Sequence, residues 1–466
     1  MSKSDLPWLS AANLIEAFRA KTLSPVEVTK AVIEHIERHN ERVNAFAHFA
    51  PEEALKSARV AEQAYADGNA GPLAGVPTTI KDMVRTATMP TKNGSRIALS
   101  APFENAPVAQ RLIDAGAVIL GKTTVSEFGW TGVSRSPLTG LTHNPWKFGT
   151  NAGASSAGAG AAAASGFGTL HQGSDGAGSI RMPAHFCGVF GLKPTYGRVP
   201  YYPLSLGDLT SHIGPMTRFV RDAALMLDVM SGHDPRDFTS LPRENISYAD
   251  AAKHRPKVRR IAFSRTLGHA RVDPEVAALS LQAANVLAKA LDCDLECVEP
   301  AWGARGAELG RFFWSAHEAH LAGYMDEWSE LMDPGLVACI EAGRHYSMQE
   351  YQTMRAKKYE YVSDIHRWFE PFDLLLTPAA SVVAFPLPAL EPADWPKQTW
   401  DWMQWAEFSY PFNMSGNPAA SVPCGLTTSG LPVGLQIVGR RFDDIGVLQA
   451  SSLLEELNPW HDRRPF

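Results

Sequence analysis

The chain has 466 residues, 45% hydrophobic and 20% charged, with a formal net charge of −6 from 49 acidic and 43 basic residues. That balance is globular and excludes disorder. The lack of a basic stripe excludes a nucleic-acid footprint, and no run of about 18 apolar residues is available to cross a membrane. The five cysteines, Cys187, Cys293, Cys297, Cys339 and Cys424, are odd in number and form no Cys-x-x-Cys pair. That usage argues against a disulfide framework, and the first residues lack an apolar signal core, so a reducing, cytoplasmic setting is expected.

The stretch "LSPVEVTKAVIEHIERHN" predicts a helix. Ser24 is its N-cap, Pro25 stands at N1, and Glu27 at N3 completes a capping box. The β-branched run in "GPLAGVPTTIKD" (71–82) predicts a buried strand ending at Lys81 and Asp82. "VAQRLIDAGAVILGKT" reads as a helix, a Gly turn and a strand from Val118 to Leu120, with Lys122 at the exposed strand end. Further on, strands are expected in "RRIAFS" (259–264), "FDLLLTP" (372–378), "ASVPCG" (420–425) and "PVGLQIVGR" (432–440). Helices are expected in "VDPEVAALSLQAANVLAKAL", opened by an Asp-Pro pair, and in "IGVLQASSLLEEL". Helices and short apolar strands alternate throughout, which predicts an α/β fold with a covered, largely buried sheet.

Two motifs look like chemistry and fail. "GAVILGKT" (116–123) satisfies a phosphate-loop pattern, but its middle is strand material and a helix precedes it. "HEAH" (317–320) is one residue short of the spacing that puts two zinc ligands on one helix face, which leaves both histidines as surface or pocket residues.

The run "NAGASSAGAGAAAASGFG" (151–168) is made almost wholly of Ala, Gly and Ser. It is followed by "GSDGAGSIRMPAHFCGVFGLKPTYGR". The small residues Gly176, Ala177 and Gly178 before Ser179 leave backbone N–H groups available to a developing oxyanion. Ser155 and Ser156 stand in a second small-residue loop, where the backbone can approach a reacting centre closely. A serine nucleophile needs a base. No histidine is placed for that task by spacing, and His171 has no evident acidic orienter. Lys81, at the end of a buried strand, is the alternative, because desolvation lowers a lysine's pKa toward neutrality.

The run from "GASSAGAG" through "GSDGAGSIRMPAHFCGVFGLKPTYGR" resembles the signature of the amidase signature hydrolases. "GVPTTIKD", "LTHNPW", "FDLLLTP", "FNMSGNPAASVPCG" and "GLPVGLQIVGRRFDD" follow in that family's order. The resemblance spans nearly the whole chain. It implies an α/β amidase signature fold, a large mixed β-sheet covered by helices on both faces. It implies one domain over 1–466, with N-terminal helices (5–70), a signature core (71–230) and a substrate-determining and C-terminal part (255–466).

The resemblance also implies a Ser–Ser–Lys triad. Ser179 matches the acylated nucleophile, Ser155 the bridging serine after a cis peptide bond, and Lys81 the general base. The N–H groups of Gly176, Ala177, Gly178 and Ser179 match the oxyanion hole. Asp175 and Arg181 match residues that brace the loop. No cofactor and no metal are implied. The resemblance implies a small-molecule amide, ester or carbamate substrate, no nucleic-acid or membrane partner, and a monomer or homodimer.

The chain departs from the family's usual Gly-Gly-Ser-Ser-Gly-Gly-Ser: Ala154, Ala157 and Ala159 replace two glycines and a serine. Ala152 stands for a frequent proline and Ala177 for a frequent glycine. These extra methyl groups are expected to restrict the loops and narrow the site. Substrate choice is expected to lie in residues 130–140 and about 305–410. The latter holds Trp395, Trp400, Trp402 and Trp405, which are either an apolar lid favouring aryl substrates or a packing cluster under a long loop. Two other readings stand beside the hydrolase: the A subunit of a tRNA-dependent glutamine-forming amidotransferase, and a non-catalytic binding protein on the same scaffold.

Overall fold

The short apolar runs between helical stretches become strands of one sheet. The computed structural model describes residues 3–97 and 103–466. Among these, the strands in chain order are β1 Phe46–Phe49, β2 Pro77–Lys81, β3 Val118–Thr123, β4 Arg135–Ser136, β5 Gly140–Leu141, β6 Leu170–Asp175, β7 Phe190–Lys193, β8 His212–Thr217, β9 Ile261–Phe263, β10 Leu295–Cys297, β11 Leu374–Pro378, β12 Ala419–Leu426 and β13 Pro432–Gly439. β4 and β5 pair apart. The other eleven form a single sheet ordered β1-β3-β2-β6-β8-β7-β12-β13-β11-β9-β10. It is mixed: β2 is parallel to β3 and β6, and β9 is parallel to β10 and β11. The pairs through β8, β7, β12 and β13 are antiparallel.

Alternation along each strand divides the core between two faces. Val118 and Leu120 pack with the helices Pro25–Val43, Pro51–Asp67 and Ala157–Ser165, while Ile119, between them, packs on the opposite face. That second face is covered by Pro107–Asp114, Val220–Met230, Pro274–Ala290 and Asp444–Leu457. The expected mixed sheet with helices on both faces is what the chain forms.

The local signals act with two exceptions. Asp273 caps Pro274–Ala290 by accepting from the N–H groups of Glu275 and Val276. Ser24 caps Pro25–Val43 by accepting from Val26 and Glu27. The return bond, from the Ser24 N–H to the Glu27 carboxylate, is not formed among the described residues, and Ser24 Oγ donates to Glu62. A complete capping box forms at Ser347 and Glu350. The second exception is Lys122. The strand does not stop at Leu120 but runs to Thr123, and Lys122 is buried rather than exposed. Its Nζ lies 3.6 Å from Asp82 Oδ1 and 2.8 Å from Thr91 Oγ1. Burial lowers its pKa to about 8 despite the Asp82 charge.

The Ala/Gly run is a helix, Ala157–Ser165, buried on every side and closed by Gly166 in the left-handed region (φ 70°). Its small residues are sterically required. A Cβ on Gly158 would stand 2.2 Å from the Ala45 carbonyl oxygen and 2.4 Å from the Thr124 nitrogen.

Candidate active site

Lys81 closes β2, next to β6 in the sheet, so its side chain meets the end of β6. Its backbone N–H donates to Gln172 Oε1 at 3.0 Å. Its Nζ, wholly buried, lies 2.8 Å from Ser155 Oγ and 2.9 Å from Ser174 Oγ. Burial depresses the Lys81 pKa to about 7, with the negative Asp175 opposing the shift. The ammonium is therefore partly deprotonated at neutral pH, which a general base requires.

Ser155 follows a cis peptide bond with Ala154. Gly153, just before it, has φ 76°, and a Cβ there would lie 2.6 Å from Pro183 backbone atoms. Ser156 ties three segments together. Its N–H donates to the Ser179 carbonyl oxygen (3.2 Å), its Oγ donates to the Ser174 carbonyl oxygen (3.0 Å), and the Ser174 N–H donates back to its Oγ (3.2 Å).

The loop from Asp175 to Arg181 is organised by a buried charge pair. Arg181 Nη2 donates to Asp175 Oδ1 (2.9 Å) and Nε to Oδ2 (3.0 Å). Burial alone would raise the Asp175 pKa; Arg181 outweighs that and holds the carboxyl well below the usual range. Asp175 also accepts from the N–H groups of Gly178 (2.6 Å) and Ile180 (3.1 Å). Of the four expected oxyanion donors, the Gly178 N–H is thus engaged by Asp175. The N–H groups of Gly176, Ala177 and Ser179 have no acceptor among the described residues.

Ser155, Ser174, Gly176 and Ser179 share one cavity of about 330 Å³. Met83, Phe128 and Trp314 give it apolar walls; Tyr201, residues 203–207, Thr210 and Ser211 form another side; His317, Glu318 and His320 complete it. A larger cavity of about 550 Å³, lined by Arg221, Lys253 and Glu455, holds none of the candidate residues.

Several sequence expectations change here. Residues 130–140 do not line this cavity, whereas the segment 201–211, which sequence reasoning passed over, does. The four tryptophans resolve as packing. Trp402 and Trp405 are fully buried and donate to the carbonyl oxygens of Trp130 (2.7 Å) and Leu390 (3.0 Å). Trp314 is the tryptophan in the cavity wall, edge-on to Trp402 with ring centres 5.4 Å apart. Ala152, Ala154, Ala157, Ala159 and Ala177 are buried in the packing around the loops and are not among the cavity's lining residues. Sequence reasoning missed Ser174 and Ser156 as supports. Ser174 carried a signal in its position beside Asp175 in "GSDGAGS".

An eleven-stranded mixed sheet with helices on both faces thus carries a buried lysine beside two serines. The chain belongs to the amidase signature family: residues 27–448 match the family described as Amidase. It is 37% identical to an acylamidase of Rhodococcus erythropolis, covering 100% of this chain and 98% of that protein. It is 36% identical to the A subunit of the glutamyl-tRNA(Gln) amidotransferase of Moorella thermoacetica, covering 99% of each. Among solved structures it is similar to a bacterial aryl acylamidase of the amidase signature enzymes, with TM-score 0.89 and 29% identity over 98% of this chain and 97% of that one.

Proposed function

We propose that the protein hydrolyses amides through an acyl-enzyme on Ser179, with Lys81 as base and Ser155 as relay. The observation that carries this reading is Lys81: buried, lowered to about 7, and 2.8 Å from Ser155, which shares a cavity with Ser179.

Neutral Lys81 Nζ takes the Ser155 hydroxyl proton as Ser155 Oγ takes the proton of Ser179. Ser179 Oγ attacks the carbonyl carbon, and charge on the carbonyl oxygen is met by the N–H groups of Gly176, Ala177 and Ser179. The proton returns through Ser155 to the leaving nitrogen as the C–N bond breaks. Water then attacks the Ser179 ester by the same relay, releasing the acid and restoring neutral Lys81. Esters and carbamates are attacked in the same way, a carbamate yielding amine, carbon dioxide and alcohol. No step calls for a metal or cofactor.

The apolar walls from Met83, Phe128 and Trp314 favour an aryl or alkyl group beside the scissile bond. The names of an acylamidase and an aryl acylamidase among its relatives point the same way. A panel of aryl amides, alkyl amides, aryl carbamates, esters and glutamine tests this. Aryl amides are expected to turn over fastest among the amides, with Ser179→Ala inactive on all of them. Activity confined to glutamine and requiring copurified partner proteins would instead establish the second reading, the A subunit of an amidotransferase, which the 36% identical relative supports.

A further inference from the structure

Glu318 ends the helix Arg305–Glu318 and lines the cavity with Trp314, one turn earlier on the same helix. It is 7% exposed, yet its carboxyl has no hydrogen bond or ion pair with any described residue. Other buried carboxylates have partners, either cations (Asp82 with Lys122, Asp175 with Arg181, Glu407 with Arg311, Asp444 with Arg198) or hydrogen-bond donors (Glu127 from Ser95 and the Asp333 N–H, Asp222 from the Ala11 and Ala12 N–H groups). Burial alone pushes the Glu318 pKa up to about 8. An unpaired acid is costly to bury, and a cavity is where such a cost accompanies function.

The titratable groups around it leave it unanswered. His317 belongs to the same turn, and burial lowers its pKa to about 3, so it is neutral. His320 follows in the next turn. Cys339 faces Glu318 from the helix Pro334–Gly343, its thiol held well up by burial. Lys358, whose charge reaches His317, is bound to Asp208 at 2.9 Å. Lys81, the base of the proposed relay, has its own partners in Ser155 and Ser174.

We infer that Glu318 receives a cationic amine of the substrate, so that the site selects amides carrying a primary ammonium group away from the scissile bond. This rests on the reading of the cavity as the acyl-transfer site. An entering ammonium donates N–H groups to the carboxylate, and the proton that Glu318 holds in the empty cavity passes to solvent. The bound pair is a charge-assisted one in a low-dielectric wall. A neutral substrate of the same shape leaves Glu318 protonated.

Calorimetric titration with hexylammonium and with hexan-1-ol tests it, in two buffers of different ionisation heat near neutral pH. Wild-type protein is expected to bind hexylammonium roughly tenfold tighter or better than the alcohol, the range of a hydrogen bond to a charged group. It is also expected to release about one proton per ammonium bound, because a carboxyl of raised pKa ionises on pairing. Glu318→Gln is expected to lose both the preference and the proton release. Equal binding of the two ligands by wild-type protein, binding without proton release, or an unchanged preference in Glu318→Gln overturns the inference. Acylation of Ser179 by a neutral anilide, followed separately by mass spectrometry, reports on the acyl-transfer reading alone.

Discussion

Lys81 is a buried amine with no carboxylate within ion-pair distance among the described residues; its polar neighbours are serines. Two consequences can be measured. In the proposed relay the neutral amine is the active form, so kcat/KM for an amide is expected to rise with pH through an apparent pKa of about 7 and then level. A profile flat from pH about 5.5 to 8.5 contradicts that role. The second concerns stability. Folding lowers this group from 10.5 to about 7, so the unfolded chain binds more protons between those values. Native stability therefore gains with rising pH across that window, by at most about 1.4 kcal/mol per unit from this group. Below it the full cost of burial is present. Lys81→Met removes the group, so its stability advantage over wild type in urea titrations is expected to be larger at pH about 7 than at about 9. An advantage that does not change with pH contradicts the lowered pKa.

The helix Ala157–Ser165 governs how the serine loops meet. It cannot be read as an amphipathic element, because all of its residues are buried and it has no polar face. Its composition instead lets it pass within contact of the strand-end backbone at Ala45 and Thr124. Gly158→Ala forces a methyl group into that contact and is expected to lose about 1–3 kcal/mol in denaturant unfolding, or to fail to fold. An unchanged denaturation midpoint contradicts the packing account. At this scale the sequence was most legible where one segment suffices. The strand ending at Lys81 and the Asp273 cap followed from local pattern. Lys122 was misplaced because its burial depends on Asp82 across the β2–β3 pairing, which no local pattern reveals. Ser174 was missed for the same reason: it reaches Lys81 only because β2 and β6 are neighbours in the sheet.

Across the whole molecule, Arg181 joins the first half of the chain to the last. It pairs with Asp175 and donates to the Ser409 carbonyl oxygen (3.0 Å), Gln436 Oε1 (2.8 Å) and Asn413 Oδ1 (2.5 Å). Arg181→Met leaves Asp175 buried without its cation and is expected to cost about 3–5 kcal/mol in stability. It is also expected to reduce turnover, because Asp175 holds the Gly178 N–H that shapes the Ser179 turn. A variant with wild-type stability contradicts a bracing role for the pair. The cavity is likewise assembled from distant parts: residues near 83 and 128, the segment 201–211, and the end of the helix Arg305–Glu318. That is why the motif residues were legible in the sequence and the cavity walls were not. Family resemblance points to the groups proposed to react, while the tryptophan cluster near 400 packs in the core and Trp314 stands in the cavity wall.

In the proposed reaction Ser179 carries the acyl group during turnover. The most direct measurement is mass spectrometry of protein quenched during turnover of an aryl amide, with the adduct mapped by proteolysis. One acyl adduct is expected, on the peptide containing Ser179, and none on Ser179→Ala protein, which is expected to be inactive. An adduct on another residue, or undiminished turnover by Ser179→Ala, would contradict the proposed reaction.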